Sequence, residues 1–355
     1  MDGTTPHPSL QKFALSLFNR TFPLTVVESV FCSLLIMAAL IGNFLVLWIV
    51  YKNRALRTIP NQFVVSLAVS DILMAAICAP PCLSVLIAGT RTFGDFICQL
   101  QGFAIAALAC VSLLTMTLVA INRYFLIVRP HQYRRIFTPL NTKLMILGVW
   151  LISCTEPLPY LLSGHRYEYH AGKVFCFQVL EVNFFTLLGY VYVALPVIAL
   201  TSLYFSVFRV IRAHQATLRS LRKASCCSDK AKETSAVNGR VSVEDITVTR
   251  TLFFTVCGFL ICWIPISIVD FIGFGQASWM LPRQVYLMYT FLGQLSTTLN
   301  PAIYGVMNKT FREEYRKLFS FGWGKSSCLG HSQGEGQGNE SDGSGQTKET
   351  KCSIV

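Results

Sequence analysis

The sequence predicts an all-α membrane protein: a seven-transmembrane helix bundle followed by a short amphipathic eighth helix. Three observations predict it. Of 355 residues, 53% are hydrophobic and 14% charged, against roughly a quarter charged in ordinary soluble domains. Seven apolar runs are long enough to cross a hydrocarbon core about 30 Å thick, which takes about 20 helical residues. Lysines and arginines collect in alternate connections between those runs.

The runs are residues 25–51, 61–88, 96–128, 144–164, 182–208, 247–273 and 284–308. Four contain long stretches free of charge: Ser29 to Tyr51, Phe96 to Asn122, Val182 to Phe208 and Gln284 to Asn308. Residues 1–24 lack a basic start followed by an apolar block, so no cleavable signal peptide is expected and the first span serves as its own insertion signal. The connections after spans one (Lys52, Arg54, Arg57), three (Arg129, Arg134, Arg135, Lys143) and five (Arg209, Arg222, Lys223, Lys230, Lys232, Arg240) are basic, and short basic loops stay in the cytoplasm. The opposite loops carry only Arg91, Arg166, Lys173 and Arg283.

This direction predicts a multi-pass plasma-membrane protein with an extracellular N-terminus (1–24), the bundle (25–308), an amphipathic cytoplasmic helix (309–320) and a disordered cytoplasmic tail (321–355). In the amphipathic segment Phe311, Tyr315, Leu318 and Phe319 fall near one helical face, the pattern of a helix lying on membrane lipids. The tail is rich in Gly, Ser, Gln and Glu and cannot bury a core; the stretch 214–243 reads the same way. The net charge of +12 then reflects topology and membrane lipids, not nucleic acid. The thirteen cysteines recur at no metal spacing, and most lie inside apolar runs as small core residues.

Charges at bilayer depth are costly and mark function. Asp71 is the only charge from Asn61 to Ala88, and a buried carboxylate needs a partner, a proton or a cation. Asn43, Ser112, Ser296 and Asn300 fall at comparable depth; hard oxygen ligands suit sodium, and a carboxylate simply hydrogen-bonded in a helix interface is the alternative. Arg123, in Asn122-Arg123-Tyr124, stands where span three meets the cytoplasm. It either snorkels to lipid phosphates or pairs with Asp245 at the start of span six in one conformation and releases it in another. Of two further acids, Asp270 is expected to border a ligand cavity, whereas Glu156 has no evident partner. Pro196, Pro265 and Pro301, near Tyr204, Trp263 and Tyr304, each free a backbone carbonyl and permit a hinge.

Together these residues resemble the rhodopsin family of G-protein-coupled receptors over nearly all of residues 25–320. The motifs are Gly42-Asn43, Leu67-Ala-Val-Ser-Asp71, Cys98, Asn122-Arg123-Tyr124, Trp150, Pro196 with Tyr204, Phe259-x-x-Cys262-Trp263-x-Pro265 and Asn300-Pro301-x-x-Tyr304. The nearest pattern is the melatonin-receptor-like group, which Phe63 to Asp71, Ala120 to Tyr124 and Ile303 to Asn308 resemble. The chain departs from that group at Pro301, where it has Ala, at Tyr160, where it anchors ligand with Asn, and at Leu180, where it has Gln, unless Gln178 takes that place.

The resemblance implies a receptor, not an enzyme, acting on a heterotrimeric G protein, with arrestin and a receptor kinase as further partners. It implies a disulfide from Cys98 to Cys176, and the two cysteines predicted outside the bilayer sit in the oxidising compartment where such a bond persists. It implies a sodium site at Asp71, Ser112 and Asn300, and activation contacts at Arg123, Tyr204, Trp263, Pro265, Pro301 and Tyr304. The small-molecule cavity is inferred to be lined by Ile105, Ala106, Ala109, Phe177, Tyr192, Trp263, Ile266, Ser267, Asp270, Thr290 and Gln294. Amine receptors carry an Asp where this chain has Ile105, and opsins a Schiff-base lysine where it has Gln294. The lining therefore suits a neutral or lipid-like ligand; an opsin-like or retinoid-binding receptor lacking the lysine is the alternative. A transporter or channel would call for inverted repeats or a ring of pore charges, which the sequence does not display.

In the tail, Cys328 is a candidate for palmitoylation. The final Cys352-Ser-Ile-Val355 reads either as a prenylation box or, through Ser353 to Val355, as a ligand that adds a strand to a PDZ domain, with neither as the third option. Ser326, Ser327, Ser341 and Ser344 are candidate phosphorylation sites. The predicted direction fixes which sequons meet the lumenal transferase. Asn19 should carry glycan while Asn308 and Asn339 should not, checked by glycosidase-sensitive mobility of the wild type and of Asn19→Gln.

Overall fold

The computed structural model describes residues 8–179, 184–225, 243–273 and 281–323. A helix α1 (Pro8–Phe18) precedes the first span, α2 (Phe22–Lys52). Then follow α3 (Ile59–Ala88), α4 (Asp95–Val128), the short α5 (Pro130–Ile136), α6 (Pro139–Thr155) and α7 (Leu158–Leu162), which together make span four. A hairpin of β1 (Glu168–His170) and β2 (Phe175–Phe177) separates these from α8 (Phe184–Ser225), α9 (Val243–Gly273), α10 (Arg283–Met307) and α11 (Lys309–Trp323).

Six of these spans are long and apolar enough to cross a membrane. The seventh, α10, is diluted by Gln284, Gln294, Ser296, Thr297, Thr298 and Asn300. It packs between α2 and α9 and keeps Ser296, Thr297 and Asn300 buried, so its polarity faces protein. The result is a seven-helix bundle. Helix starts follow local chemistry: Thr21, Thr58 and Thr138 stand at N-caps with a proline in the next two positions, where its missing N–H would go unpaired anyway. The α3 span contains a π-helical turn at Met74–Cys78. Pro80 and Pro81 supply no N–H to the carbonyls of the turn before them, and the nearby Cys78 carbonyl accepts from Gln101 Nε2 at 2.8 Å, which ties this stretch to α4.

One end of the bundle is closed by a cap. The strands pair antiparallel with Tyr169 opposite Cys176, and the Cys98–Cys176 disulfide fastens them to α4. Two glutamines reinforce it: Gln99 exchanges hydrogen bonds with the Tyr167 backbone, both at 3.0 Å, and Gln101 Oε1 accepts from Cys176 N at 3.0 Å. Tyr167 lies across Gly102, where a β-carbon would come within 2.3 Å of the ring. Beside the hairpin, α1 inserts Phe13 against His170 and Tyr286, and Leu17 into the cluster of Cys82, Leu86, Val174 and Phe175.

Three groups of ion pairs hold this end. Glu28 accepts from both Arg20 and Arg283, and Arg20 also donates to the Leu17 and Leu86 carbonyls. All three side chains are less than a tenth exposed, so removing the single carboxylate would leave two buried guanidiniums, a loss of about 3–5 kcal/mol. Lys173 pairs with Asp270 at 2.9 Å and lies over the Phe177 and Tyr289 rings. Arg166 meets Asp95 at the exposed rim.

Several expectations need correction. The first span starts at Phe22, not 25, and the N-terminal region carries a helix anchored by Phe13 and Leu17. Spans three, six and seven each begin one to four residues earlier than predicted, and span five begins at Phe184, not 182. Span four begins at Pro139, not 144. The stretch 214–243 is helical as far as Ser225 because Ala216, Leu218, Arg219, Leu221, Arg222, Lys223 and Ala224 are strong helix formers without an intervening Gly or Pro. The amphipathic helix extends to Trp323, not 320; from Tyr315 on it belongs to a separate compact unit. Residues 226–242, Leu180, Cys328, Asn339 and the C-terminal Ser353 to Val355 lie outside the described residues.

His170 gives the cap a pH dependence. Its Nδ1 accepts from Gly172 N (3.0 Å) and Lys173 N (3.2 Å), and burial plus the adjacent Lys173 charge hold its pKa well below the ordinary value of 6.5. The unfolded chain therefore binds the proton first as pH falls, and stability is lost below that value. The thermal midpoint of the purified protein should drop on acidification from about pH 7 to about pH 5, and His170→Asn should flatten that slope.

Candidate functional site

Beneath the cap lies a cavity of about 720 Å³, bounded by residues from all spans and the hairpin. All eleven residues inferred from sequence are on its wall: Ile105, Ala106 and Ala109 on α4, Phe177 on β2, Tyr192 on α8, Trp263, Ile266, Ser267 and Asp270 on α9, and Thr290 and Gln294 on α10. The wall is mostly apolar. Asp270 is held by Lys173 and by Tyr289 Oη (2.9 Å); Thr290 donates to the Lys173 carbonyl at 2.6 Å; Gln294 Oε1 accepts from Cys32 Sγ at 3.4 Å. Trp263 stacks on Phe259 at 5.3 Å and joins the cluster under the cap to the one around Met116, Leu200 and Tyr204. Its Nε1 has no hydrogen-bond partner in the structure.

Residues that sequence reasoning missed also line the wall: Glu156, Tyr167, Gln178, Tyr190 and Tyr289. Glu156, an intramembrane acid, stands at the break between α6 and α7 on the cavity wall. Tyr160, at the position where melatonin-like receptors carry an asparagine, is buried. It donates to the Arg166 carbonyl (3.1 Å) and accepts from Val179 N (3.3 Å), so it braces the loop. On the α8–α9 flank, Val193, Ile264, Ile268 and Phe271 line the cavity and are also 45% to 71% exposed on the outside of the bundle.

Deeper in the bundle, Asp71 is 3% exposed and accepts from Asn300 Nδ2 at 2.8 Å. Ser112 contacts Ser70 at 3.3 Å, Ser296 donates to the Gly293 carbonyl at 2.7 Å, and Asn43 donates to the Ala39 and Thr297 carbonyls, each at 2.9 Å. The structure thus brings Asp71 and Asn300 together and gives the two serines other direct partners. Among the described residues Asp71 forms no ion pair, and the Asn43 carbonyl oxygen is buried without a hydrogen bond. This oxygen-rich, charge-uncompensated setting fits a small hard cation. Gly42 sits against Pro301, with 3.0 Å from a β-carbon there to the ring.

At the end opposite the cap, Arg123 is 1% exposed and therefore does not snorkel. Its Nε and Nη2 have no hydrogen-bond partner, while Tyr133, Tyr204 and Asp245 are its electrostatic neighbours. Tyr204 packs against Phe208 and Phe253, and Tyr304 against Phe311 of α11 at 5.8 Å.

Residues 42–304 match the family model described as 7 transmembrane receptor (rhodopsin family). The chain belongs to the rhodopsin family of receptors. It is a multi-pass plasma-membrane protein whose family comprises receptors and not enzymes. It is 27% identical over 321 residues to octopamine receptor beta-1R of Drosophila melanogaster, a match covering 83% of this chain and 61% of that receptor. It is 27% identical over 287 residues to melatonin receptor type 1B-B of Danio rerio, covering 80% of this chain and 78% of that one. The crystal structure of squid rhodopsin superposes with a TM-score of 0.72 at 19% identity, covering 94% of each chain, a likeness of fold.

Proposed function

We propose that this receptor binds a small, largely apolar ligand in the cavity beneath the cap and, on binding, catalyses nucleotide exchange on a heterotrimeric G protein. The observation that carries the reading is a single stack: a cavity of about 720 Å³, Trp263 joining it to the inner cluster, and a fully buried Arg123 with incomplete hydrogen bonding at the far end. The apolar wall, and its continuation onto the flank of α8 and α9, supports a ligand that partitions into lipid, as expected for a neutral or lipid-like molecule. Gln294 offers no primary amine for a Schiff base, so a covalently held retinal is not favoured.

The N-terminus is extracellular in this reading, and Asn19, exposed at the end of α1, bears glycan. Ligand selects one of two arrangements by its differential affinity for them. In one, Arg123 is held by Tyr204 and Asp245; in the other, α9 moves away and Arg123 is released to the G protein. Sodium beside Asp71 and Asn300 favours the first. Arrestin and a receptor kinase act on the same face, and a PDZ domain on the tail.

Arg123→Ala is expected to abolish agonist-independent and agonist-driven nucleotide exchange in membranes while surface expression stays at the wild-type level; exchange at the wild-type rate would refute the role. Asp71→Asn is expected to remove the dependence of basal exchange on sodium relative to potassium at fixed ionic strength. A sodium effect that survives the substitution would place the ion elsewhere.

A further inference from the structure

Glu156 lies at a break that the sequence imposes on span four. Pro157 and Pro159 each lack a backbone N–H, so α6 ends at Thr155 and α7 starts at Leu158. The carboxylate reaches the cavity wall beside Tyr167, Gln178, Gly189 and Tyr190. Its Oε1 lies 3.3 Å from the point where a β-carbon on Gly189 would sit, and Gln178 Nε2 lies 3.8 Å from the same point. The missing side chain on α8 thus leaves a niche with a carboxylate and an amide at its edge. Tyr167, on the same wall, has a buried hydroxyl with no hydrogen-bond partner and Glu156 as an electrostatic neighbour.

Charge compensation sets Glu156 apart from Asp270, the other acid on the cavity wall. Glu28 has two arginines and Asp270 has Lys173, while Asp71, deeper in the bundle, has a hydrogen bond from Asn300 and no cation. Glu156 forms no ion pair among the described residues, and its Oε2 is buried without a hydrogen bond. A carboxylate left so in an apolar wall is costly unless it takes up a proton or a cation comes to it, and an ammonium supplies either. A metal ion would find one carboxylate, an amide and a phenol, too few hard ligands for a divalent site.

We propose that the Glu156 niche anchors a single protonated amine carried on an apolar, ring-bearing body. The ammonium donates to the carboxylate in a charge-assisted hydrogen bond, the unpartnered Tyr167 hydroxyl oxygen accepts another of its protons, and the body fills the cavity toward Trp263. This rests on the reading of the cavity as the ligand site and changes one part of it: the counter-ion absent at Ile105 is supplied from span four, so the ligand is cationic at one end.

The test uses the full-length receptor in lipid nanodiscs, with tryptamine and phenethylamine as amine probes and their N-acetyl forms as neutral controls, binding being read as thermal stabilisation over a concentration series. At least one amine is expected to stabilise the wild type while its N-acetyl form does not. Glu156→Gln should weaken that amine on the order of tenfold or more. Gly189→Leu, which fills the niche and keeps the carboxylate, should weaken it likewise, so the test survives if one variant fails to fold. Equal binding of the neutral forms, retention of affinity in both variants, or no stabilisation by any amine would each overturn the proposal. Nucleotide exchange on a G protein is measured on the same samples. Glu156-dependent amine binding without exchange upholds the inference and sinks the signalling reading, whereas exchange driven only by a neutral form does the reverse.

Discussion

A hydrocarbon layer offers no water to a polar group, and the architecture of this receptor follows from how each of its deep charges is compensated. At the cap end compensation is nearly complete. Glu28 draws Arg20 and Arg283 onto one carboxylate, binding the residues after α1 to both α2 and α10. Lys173 carries a charge from the hairpin to Asp270 on α9. At the opposite end it is incomplete: Arg123 is 1% exposed, yet two of its nitrogens lack hydrogen bonds. The end whose charges are nearly all paired is built to hold its shape, and the incompletely paired end is built to exchange partners.

The spans were legible because a membrane helix announces itself by length and apolarity alone. Ser29 to Tyr51 and Phe96 to Asn122 admit no other reading in 355 residues of this composition. The cap was less so. Residues 8–18 carry Leu10, Phe13, Ala14 and Leu17 at helical spacing, but an eleven-residue helix is marginal alone, and α1 owes its anchorage to two of these side chains, Phe13 and Leu17, meeting partners far along the chain. The Glu28 cluster was illegible for the same reason: Arg283 is 255 residues away, and nothing in the local sequence pairs them. The π-helical turn before Pro80 and Pro81 in span two was not among the hinges read from the sequence, which were Pro196, Pro265 and Pro301.

The site divides along similar lines. Motif spacing placed Asp71 with Asn300, and the eleven cavity residues on a common wall, because family-like helices converge at fixed depths. Spacing could not say that Ser112 and Ser296 would take Ser70 and the Gly293 carbonyl as direct partners, or that Tyr160 would brace a loop. Glu156 was visible as an anomaly. Its meaning required the Pro157 break, the bare α-carbon of Gly189 and the Lys173–Asp270 pair that leaves it as the cavity's uncompensated acid, three features drawn from separate elements.

The central claim is that the bundle has two arrangements that differ at the Arg123 end. Genetically encoded probes at the exposed His131 and Thr247, read by pulsed electron resonance in nanodiscs, measure the separation of the inner ends of spans three and six. Adding a nucleotide-free G protein should create a second, longer distance at the expense of the first. One unchanged distance in the presence of bound G protein would contradict the account.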